Sequence, residues 1–362
     1  MTGRGIDQVL PNPCDPRLYE RYMTSATDYV RLAEQANGPI SAPVDFPYIW
    51  GAALDEFNRA RPDARIINLE TSISRSDAYV PKGINYRMSP ENTGCLAAAG
   101  VDCCVLGNNH VLDWGHTGLL DTLATLERFQ IKTAGAGRDA AQAMAPAILE
   151  IAGEPRILVF SFASVASGTP RGWAATHDAG GVNLLRDLSE ATSAAITDRV
   201  IQVRRPDDIV VISIHWGPNW GYHIPEEHRR FAHRLIDMAD VSIIHGHSSH
   251  HAKAIEVHNN RLILYGCGDF LNDYEGIGGY EEFRSDLSLM YLADIDPGSS
   301  DLVALELAPL QIKRFQLDRA ASEDVNWLQQ TLDRESRPFR TRVRIAPEGK
   351  LALSWPNVGE AC

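Results

Sequence analysis

Histidine, asparagine and acidic residues gather at five points of this sequence, each directly after an apolar run. Glu70 follows residues 64–69, Asn109 follows 101–106 and His215 follows 209–214. His247 and His250 follow 241–244, and Asp269 follows 262–265. In α/β sheets the crevice outside the carboxyl ends of the strands is where ligands bind, so five such ends can bring nitrogen and oxygen donors to one place. Imidazole, carboxylate and an amide oxygen, with no thiolate, suit zinc, manganese or iron rather than a structural Cys-zinc site. Such ions lower the pKa of a bound water and polarise a phosphoryl oxygen, and two of them about 3.5–4 Å apart can clamp an in-line displacement.

Plainer readings exist for most of these residues. Gly107-Asn108-Asn109-His110 fits a turn, because Asn tolerates left-handed backbone. Glu70 and Asp269 fit caps. His215 stands alone, although Trp216-Gly217-Pro218 marks an irregular loop behind it. Trp114, Trp216, Trp220 and Tyr222 read as packing. The four histidines His245, His247, His250 and His251 have no comparable structural explanation, and spacing does not choose among them.

The elements that must position these residues follow from periodicity and punctuation. Runs 64–69, 101–106, 209–214 and 241–244 read as strands. Residues 147–151 with 156–162, and 254–258 with 262–265, read as hairpins. Helices are expected near 117–129, 187–203, 226–238 and 323–334, and Ser89-Pro90 opens another that Gly100 closes. Runs 287–292 and 302–310 suggest further strands. Strands alternating with helices, with hairpins besides, predict an α/β fold of mixed sheets covered by helices. The expected division is one domain over 1–315 and a C-terminal extension, 316–362, packed on it.

The 362 residues are enough for a sizeable core, and 44% hydrophobic with 22% charged is a globular composition. A net charge of -13 argues against a nucleic-acid partner. A small-molecule or polymer anionic substrate remains compatible, because a bound metal supplies local positive charge. The six cysteines, Cys362 among them, form no C-x-x-C pair, and Cys103-Cys104 read as buried thiols. A reducing, cytoplasmic setting is expected. No apolar run nears the roughly 18 residues that span a bilayer.

At these motifs the sequence resembles the capsule-synthesis protein family of the CapA or poly-γ-glutamate type, related to the calcineurin-like metallophosphatases. The carriers, in order, are Asn68-Leu69-Glu70-Thr71, Asn108-Asn109-His110 with Asp113-Trp114-Gly115, His215-Trp216-Gly217, Gly246-His247 with His250, and Gly268-Asp269-Phe270. The resemblance implies a layered α/β/β/α sandwich and a centre of two divalent ions. It implies Asn109 as ligand, His110 as acid/base oriented by Asp113, and Glu70 where relatives bridge two metals with Asp. It implies His215, His247 and His250 as further ligands, one residue longer than the usual Gly-His-x-His in the last motif. The family begins with a strand ending in Gly-Asp-Val-Met and a Gly-Arg pair. Met1-Thr2-Gly3-Arg4-Gly5 matches only the end of that motif, so the first strand and its Asp are expected to be missing, the start having been placed too late. Two functions follow as expectations. One is a metal-dependent, phosphoesterase-type hydrolase in which Arg4 or Arg87 holds the anion. The other is a non-catalytic protein, either a metal-binding scaffold or an assembly or export factor in poly-γ-glutamate capsule synthesis.

Overall fold

Continuous apolar runs give a strand two faces to bury, and two facing sheets result here. The structure is a computed structural model that describes residues 1–356; Cys362 lies outside them. The first sheet is parallel, with β1 (Ile66–Asn68), β2 (Cys103–Val105) and β3 (Lys132–Ala134) in the order β1-β2-β3. The second contains β4 (Ala147–Leu149), β5 (Ile157–Ala163), β6 (Ile209–His215), β7 (Ile243–His247), β8 (Ile255–His258) and β9 (Arg261–Leu264). Its order is β8-β9-β7-β6-β5-β4, parallel through β5, β6, β7 and β9, with the antiparallel strands β4 and β8 at its edges. Both expected hairpins form. β3 was not foreseen: it has three residues, of which only Ala134 is buried, and so carries no pattern.

Alternation sets the layers. Cys103 and Val105 meet Ala147, Leu149, Val159 and Val211 between the two sheets. Cys104 and Leu106 point away from that layer, onto Leu119, Leu123 and Leu126 of helix α1 (Gly115–Arg128). On the far side, Leu158, Phe160, Ile212 and Ile214 pack on α2 (Glu190–Val203) and α3 (Glu226–Ala239) through Ile196, Val200, Phe231 and Leu235. Each such side chain contributes about 1.5–3 kcal/mol when fully buried. Helix, sheet, sheet and helix are therefore stacked as the sandwich expected from the sequence.

A third, antiparallel sheet holds β10 (Leu287–Ile295), β11 (Leu302–Lys313), β12 (Gln316–Arg319), β13 (Arg342–Ile345) and β14 (Leu351–Ser354), with α4 (Ser322–Ser336) on it. Leu305, Leu307, Leu328 and Leu332 join Ile255 and Leu262, so this sheet packs on the β8 edge of the second. β11 pairs with β12 and with β14. The boundary expected at residue 315 thus falls inside one sheet, because the strands on either side of it satisfy each other's backbone groups.

Cys14, Cys95, Cys103, Cys104 and Cys267 are free thiols. Burial pushes Cys14, Cys95 and Cys103 up to about 12, which leaves them unreactive. Among the described residues, no helix is long and apolar enough to cross a membrane.

Candidate metal centre

The layer between the two sheets turns polar at one end. Val211 is apolar there, but Ser213 and His215, the next residues on that face of β6, are not. In the parallel register Ser213 lies level with His245 and His215 level with His247, so four polar side chains line adjacent strands. From the opposite sheet come Glu70, two residues past β1, and Gly107-Asn108-Asn109-His110, just past β2. Gly107 lets that loop lie against β5: a Cβ there would stand 2.7 Å from Ser161 Oγ and 2.9 Å from the Phe162 carbonyl carbon.

Asn108 ties the two strand ends together. Its Nδ2 donates to Asn68 Oδ1 and to the Leu69 carbonyl, each at 3.0 Å, and its Oδ1 accepts the His110 amide at 3.0 Å. Asn68 Nδ2 in turn donates to Glu70 Oε2 at 2.9 Å. Glu70 Oε1 is left 3.8 Å from His215 Nε2 and 3.9 Å from His110 Nε2. Asn109 Oδ1 and His215 Nε2 are buried and have no hydrogen-bond partner among the described residues. Each such orphan costs about 1–3 kcal/mol. An amide oxygen and an imidazole nitrogen left without partners, in strand ends that meet around a carboxylate, fit a divalent cation. The donors are oxygen and nitrogen only, as Zn, Mn or Fe accept.

Electrostatics agree with that fit. Burial pushes His215 down to about 4, so its Nε2 lone pair is free at neutral pH. Burial alone would raise Glu70, but His215, His110 and His250 outweigh it and hold the carboxyl below its usual range. His250 is raised: burial works against its charge, and Asp269, 3.1 Å from Nδ1, overcomes that. Asn272 Nδ2 steadies Asp269 at 2.9 Å. A cation that takes His250 must displace its proton.

His247 stands one step further back than expected. Its Nδ1 is 2.7 Å from His215 Nδ1, and its Nε2 is 2.9 Å from Ser213 Oγ, which lies 3.0 Å from His245 Nδ1. Two opposite directions satisfy every bond, and the one that suits a cation has His215 Nδ1–H donating to His247, His247 Nε2–H to Ser213, and the Ser213 hydroxyl to His245. That direction leaves His215 Nε2 unprotonated towards Glu70. His110 and Asp113 sit together as expected, with Nδ1 to Oδ2 at 2.6 Å. Lys82 was not foreseen. Its Nζ lies 2.8 Å from Asp113 Oδ1 and 3.2 Å from His110 Nδ1, donates to the Asn109 carbonyl, and lies over the Trp173 ring. No sequence signal marks it, because it lies in an irregular loop between 71 and 88.

The two arginines expected to hold an anion are occupied. Arg4 pairs with Asp273 at 2.6 Å and Glu20 at 2.9 Å and stacks on Tyr29, with all three charges buried. Arg87 binds the Ser76 and Asp15 carbonyls and Asp77 and stacks on Trp114. Buried cations need partners, and both arginines find them inside the protein. Trp220 stacks on Tyr280 at 4.0 Å and tilts against His250 at 5.3 Å, so it borders the cleft. Among the described residues, one His/Glu group has its ligand atoms all within 4.8 Å of one another, and it lies elsewhere: His233, Glu256 and His258.

Comparison with known proteins agrees with the family resemblance. The probable polyglutamine synthesis accessory protein of Mycobacterium tuberculosis is 46% identical over 355 residues, covering 98% of this chain and 93% of the relative. The PGA biosynthesis protein CapA of Bacillus subtilis is 26% identical over 208 residues, covering 57% of this chain and 52% of that one. A solved structure described as a novel phosphatase from Mycoplasma pneumoniae aligns at 12% identity and a TM-score of 0.46, covering 72% of this chain and 86% of that one. At that score the likeness decides nothing about function. The model of the bacterial capsule synthesis proteins, PGA_cap, matches residues 1–274, and the chain belongs to that family.

Proposed function

We propose that this protein is a metal-dependent phosphoester hydrolase that acts on an anionic small molecule or polymer in capsule synthesis. The observation that carries the reading is the pair of buried, unpartnered donors, Asn109 Oδ1 and His215 Nε2. Glu70, Asn109, His215 and His250 would hold one or two divalent ions, Mn, Zn or Fe, with His247 orienting His215 from behind. A bound ion supplies Lewis acidity at a phosphoryl oxygen and a water of lowered pKa. The protein's own groups do the rest. Asp113 holds Nδ1 of His110, so that Nε2, on the Glu70 side, takes or returns the proton of the leaving oxygen. Lys82 balances Asp113 and adds positive charge to the cleft wall, the role first expected of Arg4 and Arg87. Trp173 and Trp220 limit water around the cleft.

Elemental analysis of wild type and His215→Ala, paired with a bis-aryl phosphodiester assay, tests this. Metal and turnover that are both lost in the variant support the reading; a metal-replete protein without turnover refutes it. The name of the mycobacterial relative favours a second reading, an accessory factor in polymer assembly or export. Rescue of a capsule-deficient deletion by His215→Ala would support that reading over catalysis.

A further inference from the structure

The six-stranded sheet carries a second cluster of histidines at its other end. His258 pairs with Arg261, and Leu262, the next residue of β9, is level with Ile243 at the start of β7. Five residues of strand, about 16 Å, therefore separate its level from that of His247. Glu256 and His258 are two apart on the edge strand β8 and share a face; Ile255 and Val257 point the other way, into the third sheet. His233 and Asp237 are four apart on α3 and share a face of that helix. The two faces meet. His233 Nε2 lies 3.0 Å from Glu256 Oε1, His258 Nε2 lies 2.8 Å from Asp237 Oδ1, and the two imidazoles stack at 3.8 Å.

From this juxtaposition we infer a zinc-class cation site formed by His233, Glu256 and His258, with Asp237 as a fourth donor. The ligand atoms of the three lie within 4.8 Å of one another. Around a tetrahedral ion at about 2.0–2.1 Å they would stand about 3.3 Å apart, so a closure of at most about 1.5 Å is needed. His233, His258 and Asp237 are partly exposed and free to make it. Glu256 is fixed from behind, where the Tyr265 hydroxyl donates to Oε2 at 2.6 Å and leaves Oε1 for the ion. Arg229 Nε lies 3.7 Å from Oε1, and Asn259 Nδ2 donates to Asp237 Oδ1 at 2.8 Å. An ion there clips α3 to the edge strand β8, a structural role independent of the cleft.

Equilibrium dialysis against zinc, followed by elemental analysis and thermal melting, tests the site in the full chain. Wild type is expected to hold about one zinc more than His233→Gln/His258→Gln, a pair of polar replacements chosen to keep the fold. Zinc is expected to raise Tm in His215→Ala, and to raise it further in wild type than in the double variant, whose hydrolytic activity stays at the wild-type level. Equal zinc content in wild type and double variant overturns the inference. A site lost only in His215→Ala belongs to the cleft, so the two readings fail separately.

Discussion

The two ends of the six-stranded sheet hold the same residue types in opposite condition. At the carboxyl end, His215 and Asn109 present buried atoms with no partner, and a relay of His247, Ser213 and His245 orients the outermost ring. At the other end, His233, His258, Glu256 and Asp237 pair among themselves near the surface. The first arrangement is incomplete without a cation; the second is complete and only exchanges partners when a cation binds. The difference follows from burial, since an orphaned polar atom is tolerable in water and costly inside.

The sharpest way to break the contrast is His215→Ala. Metal in the cleft should vanish and turnover should fall about 10³-fold, the several kcal/mol a catalytic metal supplies, while zinc at the β8 edge is retained. Elemental analysis and phosphodiester kinetics read both outcomes; equal loss at both clusters would mean that they are not separate. Arg4→Ala should lower unfolding stability by about 3–5 kcal/mol, because Asp273 and Glu20 would keep buried charges without their partner. Denaturant titration reads this. A raised KM with unchanged stability would instead restore Arg4 to the anion-binding role expected from the sequence. His247→Ala should weaken metal binding in the cleft about 10–100-fold without abolishing it, as loss of an orienting partner does. Loss as complete as in His215→Ala would make His247 a direct ligand.

The smallest effect belongs to a region that neither cluster touches. Asp333 on α4 accepts from Arg342 at 2.8 Å, from Arg337 at 2.8 Å and from the Val343 amide at 3.1 Å. The Arg342 hydrogen bond outweighs burial and holds this carboxyl well below the usual range. Its folded value is depressed, so the stabilisation is present above about pH 4 and is lost as the pH falls further. Both arginines are largely exposed, so Asp333→Asn should cost only about 1 kcal/mol at pH 7 and flatten the acid limb of the stability curve. Metal content should not change, which makes this variant the control for the other three.

Much of this was legible in advance and some was not. β5, β6 and α1–α4 lie within a few residues of their expected positions, because apolar period and capping are local signals. β3 escaped because three residues on a sheet edge carry no period. His110 and Asp113 were legible as a pair because three residues separate them in the chain. Lys82 was not, because it reaches them from an irregular loop 28 residues away in the chain. The pairing of Arg4 was hidden for the same reason: its partner Asp273 lies 269 residues away.

By itself the sequence determined the sandwich, the family and the inventory of nitrogen and oxygen donors at the strand ends, since those depend on residue type and short-range periodicity. Only the tertiary structure decided which donors remain unpaired. Asn108 is spent on joining two strands while Asn109 is free, His247 is spent on His215, and Arg4 and Arg87 are spent on carboxylates and carbonyls. Whether a polar atom has a partner depends on neighbours from remote segments, and no pattern along the chain encodes it.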